Sequence, residues 1–378
     1  MINEKIKNKA LKLIEPSIKT SYNSNDCIFV LNEIGDLMQE IDTFEKEKLV
    51  QKGIHYSEML PKESVHKKEY KDFFIQCLND TKEDVAKYVG ILAEKILIDK
   101  GNDVIVVSLA RAGSPIGILV KRYLKDKYNI DIPHYSISII RGKGLDENSL
   151  VYIMNKHKSS NIQFLDGWTG KGAITKTLDE SCKEFYNKYN TKLDSSLAVL
   201  CDPSHCSPLY GTREDILIPS ACLNSTVSGL VSRTIHSKEL VKEDDYHYAK
   251  YYEKFEKEDL SNLFIDTISM CFSKIDNNII INELCNFDKT KENIDNIGYK
   301  ETERIQYIYK IDDINKVKPS LGETTRVLLR RVAKKILVKD IKDPKLKHIL
   351  FLAKEKNIEI EEVSNMLYNC IGIIDNVE

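Results

Sequence analysis

The spacing of apolar residues changes along the chain, and the change divides it. Residues 84–99 place apolar side chains at helical intervals, and residues 1–100 as a whole read as mostly helical. Residues 104–110 form a short β-branched run that suits a strand buried on both faces. Pro115 fits the first turn of a helix that continues over 116–128. The alternation then repeats, with strands over 134–140, 162–165 and 196–200 and helices over 147–157 and 173–189. Strands alternating with helices at this pitch indicate a parallel α/β sheet. Each strand runs into a polar turn bearing Gly or Pro, at 111–115, 141–144, 166–172 and 201–206. In open α/β sheets ligands bind at such carboxyl-end turns, so these four segments are expected to form one site. A short helix is expected over 227–232, and 240–305 is helical and charged. Beyond Pro319 a second, small α/β unit follows: helix 322–334, strand 335–339, helix 343–356, strand 358–363.

Composition narrows the class. The 378 residues are 42% hydrophobic and 30% charged, enough to build a core and too apolar for a disordered chain. Lys and Arg total 56 against 58 Asp and Glu, a net charge of −2 that argues against coating nucleic acid globally. No apolar run reaches membrane-spanning length, and the polar start shows no signal region, so a cytoplasmic protein is expected. Nine irregularly spaced cysteines without a C-x-x-C pair oppose a disulfide framework or a structural zinc site. Arginine is scarce, 9 residues in a lysine-rich chain, so its positions carry information.

The sharpest local chemistry lies in Phe164-Leu-Asp-Gly-Trp-Thr-Gly-Lys-Gly-Ala-Ile174. An apolar strand runs into an acid, then a turn of small residues, then a helix. Backbone N–H groups of such a turn and the helix N-terminus make a phosphate cradle. Asp166 suits sugar hydroxyls or a magnesium ion. The spacing is not that of a P-loop.

The order of the Arg111-Ala-Gly-Ser-Pro115 loop and the later Asp–Thr-Gly loop resembles a phosphoribosyltransferase. Longer strings are more specific: His55-Tyr-Ser-Glu-Met-Leu-Pro61, Ser108-Leu-Ala-Arg-Ala-Gly-Ser-Pro-Ile-Gly117, His134-Tyr-Ser-Ile-Ser-Ile-Ile-Arg-Gly-Lys-Gly144 and residues 164–174 and 211–234. Over residues 20–255 they resemble the phosphoribosyltransferase-like family of tellurium-resistance (Ter) stress operons, often labelled cysteine protease StiP. The resemblance implies a phosphoribosyltransferase-like parallel sheet with an N-terminal helical addition, over 1–255. It implies an enzyme that uses phosphoribosyl pyrophosphate, or a related phosphosugar, with magnesium to make a nucleoside-like metabolite. Arg111, Ala112 and Gly113 would hold pyrophosphate, with Arg141 and Lys143 as added charge. Asp166 would hold ribose hydroxyls and the metal, and Gly167, Thr169, Gly170, Lys171 and Gly172 the 5′-phosphate. His55, Asn224, Ser225 and Arg233 would cover the acceptor or sugar. The sequence departs from the general pattern in having Gly167, not a second acid, after Asp166. Asp202, which also ends a strand, is the candidate replacement.

Residues 305–378, after a helical connector over 256–304, resemble a Pelota-like RNA-binding domain. Residues 316–347 are strongly basic, and Arg326 and Arg330 share a helix face. The resemblance assigns RNA binding to Lys318, Arg326, Arg330 and Arg331. The protease label needs a thiolate beside a base. Cys206 next to His205, and Cys222 ahead of the expected 227–232 helix, are the alternative nucleophiles. A third reading is a regulator that senses a nucleotide and binds RNA. His157, His236 and His348 are expected at the surface or at helix caps. The acceptor, the RNA target and the oligomeric state stay open, a homodimer being one option.

Overall fold

The computed structural model describes residues 2–63, 67–285 and 287–375. Its centre is a sheet in which Ile28–Phe29, His134–Ile140, Ile105–Ala110, Ile162–Trp168, Ala198–Cys201 and Leu209–Thr212 lie side by side in that order, all parallel. Among the described residues, only Gly144–Leu145 adds an antiparallel strand to this sheet, on His134–Ile140. The strands are buried on both faces, as their unbroken β-branched runs require.

Helices cover both faces. Lys68–Lys100 and Gly113–Tyr128 close one apolar layer. Glu147–His157 and Ala173–Tyr189 close the other. From Ile105–Ala110 the chain first adds a strand on one side, then crosses to place Ile162–Trp168 on the other. The loops that follow these strands therefore diverge at a topological switch point, where a crevice opens.

The first hundred residues are less helical than their pattern suggests. Between the helices Glu4–Ala10, Thr43–Gln51 and Lys68–Lys100 the chain forms short strands, and Ile28–Phe29 joins the main sheet. Pairing with distant strands overrides a weak local period there. The expected 227–232 helix is absent, and a 3-10 turn over Ser225–Val227 stands before it.

The C-terminal unit is a four-stranded sheet in the order Val317–Pro319, Cys370–Ile374, Ala333–Val338, Glu359–Glu362. Helices Leu321–Arg330 and Lys347–Glu355 pack on it. Leu321 and Leu328 share one apolar cluster with the main sheet, and the helix start at Gly322 packs on the Trp168 ring. His348, expected at the surface, is buried at this junction, 2.8 Å from Thr325 Oγ1 and stacked on Phe73. No helix among the described residues is long and apolar enough to cross a membrane.

Candidate active site

A cleft of about 1100 Å³ lies between the carboxyl ends of the parallel strands and the C-terminal domain. Its walls bring together most of the residues expected from sequence: Arg111, Ala112, Arg141, Asp166, Thr169, Gly170, Lys171, Gly172, Asn224 and Arg233. Lys318, Arg326, Arg330 and Arg331, assigned to a separate RNA surface, line the same cleft. Helix Leu321–Arg330 turns its basic face inward, because its apolar face packs on its own sheet and on Trp168.

Each cation has a defined setting. Arg111 pairs with Glu63 at 2.8 Å and donates to the Val231 carbonyl. Arg141 donates to Asn315 Oδ1 at 3.0 Å, and its own N–H is held by the Tyr56 hydroxyl. The Arg233 guanidinium lies over the Tyr56 ring. Lys171 donates to the carbonyls of Ile314 and Val317 at 2.5 and 3.2 Å, so the Thr169–Gly172 loop is tied to the C-terminal domain. Arg330 donates to Asn224 Oδ1. Burial, then repulsion from Lys318 and Arg141, pulls the Lys171 ammonium down to about 7. Burial also lowers Lys318 to about 8. These cations are removed from water with too few counter-charges, a setting that favours a polyanionic ligand.

Asp166 lies in the strand rather than in the loop. The ladder continues through it, pairing Asp166 with Val199 and Trp168 with Cys201, so the loop begins at Thr169. Burial pushes its carboxyl up to about 6, against the Gly167 N–H and the positive field of Arg326. The first turn of helix Ala173–Tyr189 opens onto the cleft, which suits a phosphate.

Several expected contacts fall elsewhere. A Cβ on Gly113 would meet the Leu165 carbonyl, and one on Gly167 would lie 3.2 Å from the Ala112 carbonyl. Both glycines let two strand ends approach closely and do not face the cleft. Lys143 is turned away, bound to Glu58 and to the His236 carbonyl. His55 acts behind the wall, donating from Nε2 to the Arg141 carbonyl at 3.0 Å. Ser225 is buried, its N–H donating to Glu63. Asp202 is fully buried and does not replace a second acid. Its carboxylate accepts from Thr169, Arg213 and the N–H groups of Cys206 and Ser207, and so organises the loops beneath the cleft.

The thiols are placed unlike nucleophiles. Cys206 is buried under Gly172, and burial with the nearby Asp202 pushes its thiol up to about 11. Its neighbour His205 turns to Asp295, at 3.6 Å. Cys222 is fully buried against Cys77 and Tyr70, with its thiol held well above the usual range. Neither cysteine faces the cleft, and no described cysteine or histidine does.

Sequence reasoning missed Lys46, Glu47, Glu63 and Glu323, all on the cleft wall. Lys46 and Glu47 form a buried ion pair at 2.7 Å, joined by Arg331 at 2.6 Å. None of these four follows a strand of the main parallel sheet, where the sequence pattern looked for ligand chemistry.

Residues 20–269 match the family described as tellurite-like stress resistance cysteine protease StiP. Residues 296–376 match the PELOTA RNA binding domain. A curated protein of Acinetobacter baylyi (strain ATCC 33305 / BD413 / ADP1), described as cysteine protease StiP, is 31% identical over 388 residues, spanning 98% of each chain. With a matched α/β core, a matched C-terminal domain and a full-length relative, this chain belongs to the StiP family of tellurite-like stress-resistance proteins.

Proposed function

We propose that the cleft binds a phosphorylated sugar of the phosphoribosyl pyrophosphate type and transfers its glycosyl group to an acceptor. The observation that carries this reading is the convergence of Arg111, Arg141, Lys171, Arg233, Lys318, Arg326, Arg330 and Arg331 on one cleft at the carboxyl ends of parallel strands. In the transfer, the C1–O bond to pyrophosphate breaks and its electron pair leaves with the pyrophosphate. The acceptor's nucleophile forms the new bond to C1 and loses its proton. Fixed cations around the departing pyrophosphate stabilise the charge that develops there. The Thr169–Gly172 turn and the helix N-terminus behind it suit the sugar's phosphate, and Asp166 suits its hydroxyls.

Among the described residues no group of three or more His, Cys, Asp or Glu is arranged to hold a metal. Magnesium is therefore proposed as part of the substrate, bound mainly by the donor's phosphates with Asp166 as one protein carboxylate. Proteolysis through Cys206 or Cys222 has less support here, since both thiols are buried with their proton affinity raised, Cys206 against the Asp202 carboxylate and with His205 turned to Asp295. Calorimetric titration of phosphoribosyl pyrophosphate with magnesium, on wild type and Asp166→Asn, tests the reading. Binding that the substitution abolishes supports it, and absence of binding to the wild type refutes it.

A second reading follows from the PELOTA match. RNA held by Lys318, Arg326, Arg330 and Arg331 would enter the same cleft. A short single-stranded RNA would then compete with the donor, and simultaneous binding of both would refute this placement.

A further inference from the structure

We propose that Glu323, from the C-terminal domain, supplies a second carboxylate for the hydroxyls of the sugar held by Asp166, so that the sugar subsite is assembled from both domains. The inference rests on the donor reading above and adds a residue and a domain to it.

A vicinal diol presents two O–H donors, and carboxylate oxygens are its strongest side-chain acceptors. The strand end offers one, because Asp166 is followed by Gly167. The other acids deep in the cleft are already neutralised: Glu47 by Lys46 and Arg331, Glu63 by Arg111. Glu47 and Glu63 have both oxygens engaged, whereas Asp166 and Glu323, the latter also ion-paired with Arg326, each commit only one. Asp166 Oδ1 accepts the Gly167 N–H at 2.7 Å, and Glu323 Oε1 accepts from Arg326 at 3.1 Å. The second oxygen of each takes no hydrogen bond among the described residues, and both side chains line the cleft.

Their proximity is fixed by packing. The Glu323 stem lies 3.2 Å from where a Cβ on Gly170 would stand, in the turn suited to the sugar's phosphate. Arg326 stacks over Trp168, two residues beyond Asp166, and reaches back to Glu323. The helix holding Glu323 is seated against the same ring, since a Cβ on Gly322 would lie 2.5 Å from Trp168. The carboxylates also sense each other, Glu323 raising the proton affinity of Asp166.

A purely structural Glu323, acting as counter-charge to Arg326, Lys318 and Lys171, makes the opposite prediction. Its neutralisation would then leave more positive charge and tighten every anion. The test is calorimetry on the full chain, wild type against Glu323→Gln and Glu323→Ala. The probes are phosphoribosyl pyrophosphate with magnesium and, separately, inorganic pyrophosphate. The expected result is donor binding weakened at least about tenfold, as for a lost hydrogen bond to a charged group, with pyrophosphate binding unchanged or tighter. Retained pyrophosphate binding also shows that the variants fold. Unchanged or tighter donor binding in the variants overturns the inference while the donor reading stands. Equal weakening of both probes overturns it as well, because the effect would not belong to the sugar. A wild type that binds no donor refutes the donor reading itself, and the inference with it.

Discussion

The guanidinium of Arg326 lies 4.2 Å from the centre of the Trp168 ring. The first residue belongs to helix Leu321–Arg330 of the C-terminal domain and the second to the end of a main-sheet strand, so the contact joins the two domains at the cleft. Trp168 is the chain's single tryptophan and is only 8% exposed. Arg326→Ala is expected to lower stability by about 1–2 kcal/mol, the range for a partly desolvated cation–π pair. It should also shift tryptophan emission to the red as the ring gains water. Emission identical to wild type would show that the pair does not hold the domains together.

Asp215 is a second junction. Its carboxylate accepts the N–H groups of Leu321 and Asn369, each at 3.0 Å, and Asn369 Nδ2 returns a bond to the Asp215 carbonyl. Asp215→Ala leaves two donors without partners, at about 1–3 kcal/mol each if they stay buried. Limited proteolysis should then cut more readily between the domains, and donor affinity should fall although Asp215 does not line the cleft. Wild-type proteolysis and affinity together would contradict this.

Lys171 and Lys318 are expected to make anion binding depend on pH. Burial lowers the first to about 7 and the second to about 8, so near neutral pH part of each is uncharged. A bound anion favours the ammonium forms, raises both pKa values and draws protons from solution. Pyrophosphate affinity should therefore fall as pH rises from about 7 to 9. Titrations at one pH in buffers of different ionisation enthalpy should give different apparent heats. Equal heats would mean that neither lysine titrates on binding.

The cysteines give a direct contrast with the protease reading. Cys285 is exposed, and the other eight cysteines are buried. In the native chain one thiol should react quickly with an alkylating reagent, and Cys206 should react only on unfolding. Cys206→Ser should leave donor binding at the wild-type level. Fast labelling of Cys206 coupled to loss of a peptidase activity would reverse the assignment.

Much of the fold was legible because it is local. The strands His134–Ile140 and Ile105–Ala110 and the helices Glu147–His157 and Ala173–Tyr189 coincide with, or sit within a residue or so of, the runs read from periodicity. Asp166 was legible as an acid at a strand end, but its place in the ladder was not, because pairing with Val199 decides it. Asp202 illustrates the same limit. As an acid ending a strand it looked equivalent to Asp166, yet Arg213 and the turn over residues 202–207 draw it inward.

The sequence by itself determined the alternation of strands and helices, the turns that can carry ligand chemistry, and the basic character of helix Leu321–Arg330. Those features depend on side-chain period and on residues adjacent in the chain. Tertiary structure alone decided which turns meet, because strand order places the loops after Ile105–Ala110 and Ile162–Trp168 at one crevice. It also decided where the basic helix points. A charge run reads as a solvated face until packing on Trp168 and Asp215 turns Arg326 and Arg330 into the cleft that Asp166 also lines. No local pattern carries that information, since the partners lie more than a hundred residues apart in the sequence.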